Sequence, residues 1–152
     1  MWVGSEIPRP TTIYIILKVR KMRIVYQKFI WREEMKLNPH SIYIFGDNVK
    51  RVGFGGQAKE MRGEPNAFGI VTKLAPTYNP DDFMKDTQEN FDLVAADFEH
   101  LFMELKRGNY DTLVVPADGI GTGIAKLKET APLILLFINR MLFNDIRTKW
   151  NV

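Results

Sequence analysis

Apolar residues fall into short runs broken by glycine, proline and polar residues, with two different spacings. Arg23–Phe29 reads as a strand. Ser41–Phe45 is a compact apolar run that empties into Gly46-Asp47-Asn48, as a buried strand entering a loop does. Residues 49–56 form a glycine-rich loop, and Gln57–Arg62 a short helix closed by Gly63. Phe68–Lys73 is another strand, and Pro76, Asn79 and Pro80 mark a turn. Phe91, Val94, Ala95, Phe98, Leu101, Phe102 and Leu105 then recur at steps of three and four, which predicts a long helix with one apolar stripe. Asp81, Asp82 and Asp86 are expected in its first turns, where the helix dipole favours negative charge, and Gly108 ends it. Thr112–Pro116 is a strongly apolar strand that again runs into glycines. A last helix is expected from Thr130 as N-cap, with Pro132 in its first turn. Its centre, Leu133–Ile138, is apolar nearly all round, so it is expected to be well buried.

Alternating strands and helices predict an α/β protein with a mixed, mostly parallel sheet. No repeat or linker divides the body, and 152 residues suit about one domain. Residues 22–152 read as that domain. Residues 1–21 read either as an N-terminal extension or as an extra edge strand. Pro8, Pro10 and the basic Lys18–Lys21 stretch favour the former, and the β-branched and aromatic residues of Thr11–Val19 the latter.

Charge refines this picture. The formal surplus is +3, and residues 1–21 hold all of it, with four cations against one acid. The remainder is neutral in sum, so a nucleic-acid reading would rest on the leader alone. Within the body, residues 50–73 hold five cations against two acids, and residues 81–99 seven acids against one lysine. A diphosphate suits the first region. The absence of cysteine removes disulfides, thiolate nucleophiles and zinc ribbons, and suits a cytoplasmic protein. His40 and His100 are too few for a multi-histidine metal centre, so no metal or cofactor is expected. The apolar runs Ile13–Leu17 and Leu133–Ile138 are too short for a membrane span, which needs about 20 residues.

Two glycine loops follow strands, and ligands of such sheets bind beyond the carboxyl ends of the strands. The first holds Gly53, Phe54, Gly55, Gly56 and Gln57, and opens onto a helix. Free amides at a helix start and backbone without Cβ atoms suit a phosphate. The spacing is neither a Walker loop nor a dinucleotide fingerprint. The second holds Gly119, Ile120, Gly121, Thr122 and Gly123, with the Thr122 hydroxyl available to a phosphate oxygen. Either loop alone reads equally as a tight turn; as a pair they can clamp one ligand from two sides.

In order and spacing, Ser41–Asn48, Gly53–Ala58, Val71-Thr72-Lys73 and Pro116–Ile124 with Leu127 resemble a macrodomain, the α/β/α fold that binds ADP-ribose. The resemblance runs from about Arg23 to Leu142. It is nearest the lysine-type terminal ADP-ribose glycohydrolase branch. The chain is also similar to short phage and bacterial proteins carrying FGDN, GGQAKxMRGEPNA and DGxGTG stretches. The resemblance implies a three-layer sandwich whose two glycine loops wrap a diphosphate and the distal ribose. It places Asp47 or Asn48 near the nucleoside or the ribose hydroxyls, and makes Lys73 the group that attacks the anomeric carbon. A lysine nucleophile needs a lowered pKa, for which Arg51 and Arg62 are candidate cationic neighbours. The family's partner acid falls at or near Ala125, which cannot transfer a proton. Either Asp118 or Asp47 serves instead, or the protein only binds.

The implied activity is release of ADP-ribose from a protein or nucleic acid, or removal of phosphate from ADP-ribose 1″-phosphate. The alternative is a non-catalytic sponge for an ADP-ribose-like signalling nucleotide. The expected partners are that small nucleotide and, for an enzyme, an ADP-ribosylated macromolecule, with no membrane.

Overall fold

The computed structural model describes residues 21–150. The expectations for residues 1–20 therefore lie outside the described part. Four strands, β1 (Arg23–Gln27), β2 (Ser41–Asn48), β3 (Ala67–Lys73) and β4 (Thr112–Pro116), form one sheet in the order β1-β4-β2-β3. Every strand pairing is parallel, so the expected mixed sheet is corrected to an all-parallel one among the described residues. The reason lies in the connections. Each successive pair of strands is joined through a helix, and such crossovers return the chain in the same direction. These helices are α1 (Arg32–Leu37), α2 (Ala58–Met61) and α3 (Gln88–Lys106). The sequence reading does not contain α1, a helix of six residues with Met35 as its buried contact. That is too short for a periodic stripe to register.

Alternation along β2 divides the core. Ile42 and Ile44 enter a large cluster with Leu113 and Val115 of β4 and with Phe98 and Leu101 of α3. Tyr43 and Phe45 enter a smaller one with Val114, Met35 and Met61. Both faces of the central strands are thus covered, as an all-parallel sheet requires.

α3 begins later than the acidic residues predict. Thr87 is its N-cap, accepting the Asn90 amide at 3.1 Å. Asp81 and Asp82 lie in a separate 3₁₀ turn, Pro80–Asp82. Asp86 caps a different helix, because its carboxylate accepts the Leu133 and Ile134 amides at 3.0 and 2.9 Å. Those amides open α5 (Pro132–Arg140), which follows α4 (Leu127–Thr130). Thr130 therefore ends α4 rather than capping the last helix, and Ala131 takes the cap position without a side-chain acceptor. α5 is also amphipathic rather than fully buried. Ile134 and Ile138 are buried, but Leu133 and Leu136 are 67% and 59% exposed. A π turn (Met141–Asp145) leads into α6 (Ile146–Trp150), and the Trp150 carbonyl accepts the Met22 amide at 2.8 Å.

The edge strand β3 is closed by side chains. Asp97, buried on α3, accepts the Val71 amide at 2.8 Å and two bonds from Arg51 at 2.6 and 2.9 Å. Arg51 also donates to the Gly69 carbonyl at 3.1 Å. Such cover prevents an exposed strand edge from pairing with another chain.

Candidate functional site

The site grows from an irregularity in the sheet. Asp47 pairs with Val71, but its neighbour Asn48 pairs with Lys73, so one residue of β3 is skipped. Such breaks in register re-aim side chains near functional sites. Here the break sets Asn48 and Lys73 side by side at the carboxyl ends of two strands. Above them opens a cleft of about 370 Å³. That volume is within the usual range for small-molecule sites, about 300–1,000 Å³. Its lining includes the catalytic and ligand-contacting candidates Asp47, Asn48, Gly53–Gln57, Lys73, Asp118 and Gly119–Gly123, and of the two candidate arginines only Arg62.

Asp47 lines the cleft, yet its carboxylate is committed elsewhere. It is buried and accepts the Asn48 amide at 2.8 Å and an Arg62 bond at 2.5 Å, with Arg51 at 3.6 Å. Arg62 in turn donates to the Gly53 carbonyl at 2.6 Å and the Val52 carbonyl at 3.3 Å. Asp47 therefore braces the first glycine loop. Its carboxylate is thereby engaged by two arginines. Gly69 makes room for it, since a Cβ there would lie 2.6 Å from Asp47 Oδ2.

Asn48 differs. Its Nδ2 donates to the Val52 carbonyl at 2.7 Å, while Oδ1 is buried with no partner. An unpaired buried acceptor costs about 1–3 kcal/mol, and a ligand hydroxyl or amide would satisfy it.

The two glycine loops meet across the cleft. A Cβ on Gly55 would stand 3.1 Å from Ile124 Cδ1, so the second loop rests on the first at a residue without a side chain. Gly121 has φ +83°, and a Cβ there would collide with Leu127. That glycine serves the packing of α4 as much as any ligand. Phe54 and Tyr78 stand at the rim, 65% and 71% exposed.

Lys73 is 5% exposed. Its Nζ donates to the Thr77 carbonyl and lies 4.5 Å from the Phe83 ring centre and 5.2 Å from that of Tyr78. Burial pushes the amine below the ordinary lysine range, the Asp82 carboxylate pulls it back up, and Lys126 pushes it further down. The cationic neighbour is thus Lys126. The expected Arg51 and Arg62 are engaged with Asp47, Asp97 and backbone carbonyls. Asp118 is exposed on the cleft wall beyond β4, and Ala125 is buried.

Sequence reasoning passed over Tyr78, Asp82, Phe83 and Lys126 as neighbours of Lys73. The first three lie within ten residues of it, in the turn marked by Pro76 and Pro80. Among the described residues, no group of three or more His, Asp or Glu side chains converges to hold a metal, and no helix is long and apolar enough to cross a membrane.

An all-parallel sheet with a cleft at its strand ends, roofed by two glycine loops, defines the class: an α/β protein with a strand-end cleft. Within that class, the chain belongs to a family of unknown function, DUF7831, whose match covers residues 25–141. No curated protein and no solved structure matches it.

Proposed function

We propose that this chain is a three-layer α/β/α domain of macrodomain type that binds ADP-ribose or a related diphosphate nucleotide. The observation that carries the reading is the pairing of Asn48 and Lys73 on the cleft floor. Asn48, whose buried Oδ1 has no partner, and Lys73, whose buried amine has a lowered pKa, are register partners on adjacent strands and both line the cleft. The acceptor suits a ribose hydroxyl, and the amine suits nucleophilic attack at an electrophilic sugar carbon, with the group bonded there departing. The roofing glycine loops bring backbone amides close to a diphosphate. The exposed rings of Phe54 and Tyr78 offer stacking faces for a base.

Isothermal titration calorimetry with ADP-ribose tests the binding. A saturable heat is expected, reduced at least tenfold in affinity in Asn48→Leu. No heat at millimolar ligand would sink the reading. Turnover is the second half of the proposal: Lys73 acts on an ADP-ribosyl or ADP-ribose-phosphate linkage. Incubation with ADP-ribosylated protein and with ADP-ribose 1″-phosphate should release free ADP-ribose. The Lys73→Ala variant should lose that release while still binding ligand.

One observation favours the sponge instead. Ala125 offers no proton, and Asp47 is held by its arginines. Binding by the parent protein without turnover of either substrate would select that alternative.

A further inference from the structure

Lys73 is held by a loop of its own making. After β3, residues 74–83 fold back on the strand end. The Leu74 amide donates to the Asp82 carbonyl at 2.9 Å, and Lys73 and Phe83 form an isolated antiparallel bridge. Inside this loop the Lys73 ammonium donates to the Thr77 carbonyl. The Thr77 hydroxyl donates to the Asp82 carboxylate and accepts the Asn79 amide at 3.1 Å. The Asp82 amide donates to the Asn79 carbonyl at 2.9 Å, closing the turn. A carboxylate at the far end of such a chain makes its bond charge-assisted, hence stronger and more directional.

We propose that Asp82 is the positioning residue for the Lys73 amine. It acts through Thr77, fixing where the amine sits and supplying the negative charge that balances it. The other acids near the cleft are poorly placed for this. Asp47 is taken by two arginines, and Asp118 is exposed in the loop after β4. The charges bearing on Lys73 are Asp82 from its own loop and Lys126 from the start of α4. The rings of Tyr78 and Phe83 complete its surroundings. The proposal rests on Lys73 being the reacting group, but its test needs no nucleotide.

Competitive acetylation with acetic anhydride, followed by peptide mass spectrometry, gives the reactivity of Lys73 against pH. In Asp82→Asn the ammonium loses its balancing charge but keeps its burial and Lys126. The midpoint should move to lower pH by about half a unit or more, which is about threefold in free amine at a fixed pH below the midpoint. Thr77→Val should move it the same way, because the carboxylate is released to water. Thr77→Ser keeps the hydroxyl and should keep the parent profile. Lys126→Met should move the midpoint upward. A midpoint that stays put in Asp82→Asn, or that rises toward the free-lysine value as in a loosened loop, would overturn the proposal. If Asp82→Asn does not fold, the Thr77→Val and Thr77→Ser pair decides by the same criterion. A shifted midpoint in a protein that binds no ADP-ribose would leave the lysine device standing and remove only the proposed ligand.

Discussion

At the residue scale, Lys73 carries a cost. Its side chain is buried, and its lowered pKa means that the folded state binds its proton less well than the unfolded chain. Stability therefore rises with pH through the interval between the lowered value and the ordinary one near 10.4. Lys73→Met keeps the length of the side chain without the charge. Its melting temperature should exceed that of the parent at pH 7, and the gain should shrink as the pH approaches 10. A lower melting temperature at pH 7 would mean that the Thr77 bond and the aromatic rings more than offset the burial. Lys73 was legible in the sequence as a strand-end lysine. The cause of its shift was not, because the nearest arginines in the chain turn to Asp47 and Asp97, while Lys126 arrives from 53 positions away. Asp47 likewise read as a candidate acid or base, and its arginine partners were equally invisible in the sequence.

At the element scale, two aspartates serve elements other than the ones their positions suggest. Asp86 precedes α3 but caps α5, and Asp97 lies in α3 but closes β3. Removing a cap costs about 0.5–2 kcal/mol. Asp97→Ala leaves the buried Val71 amide unpaired, at a cost of about 1–3 kcal/mol, and also removes the two bonds that Arg51 makes to Asp97. Urea denaturation should therefore find Asp97→Ala the more destabilised of the two, with Asp86→Ala down by about 1 kcal/mol. Equal losses would mean that water replaces Asp97 at the edge of β3. Strand positions, the apolar stripe of α3 and both glycine loops were readable because each is a local pattern. The start of α3, the split between α4 and α5, and the exposure of Leu133 and Leu136 were not. Capping across 48 positions and the choice of which helix face meets the sheet leave no local trace.

At the scale of the whole molecule, the cleft joins distant parts of the chain: the loop after β2, the end of β3 and the loop after β4. A ligand that touches all three binds the folded state alone and stabilises it by mass action, by about 2.7 kcal/mol at a hundredfold excess over Kd. ADP-ribose should raise the melting temperature in proportion to the logarithm of its concentration, and Asn48→Leu should blunt that rise. No rise at saturating heat of binding would mean that the ligand also holds the unfolded chain. The sequence by itself determined the α/β class, the order of the strands along the chain and the two glycine loops, since these depend on periodicity and on residue types within a few positions. Its catalytic and ligand-contacting candidates also all line one cleft. The tertiary structure alone decided that the sheet is parallel throughout its described strands, that the register break pairs Asn48 with Lys73, and that Asp47 is bound to arginines while Asp82 is bonded to Thr77, whose carbonyl holds the lysine. These are relations between residues far apart in the chain or across a turn, where geometry rather than composition sets which charges meet.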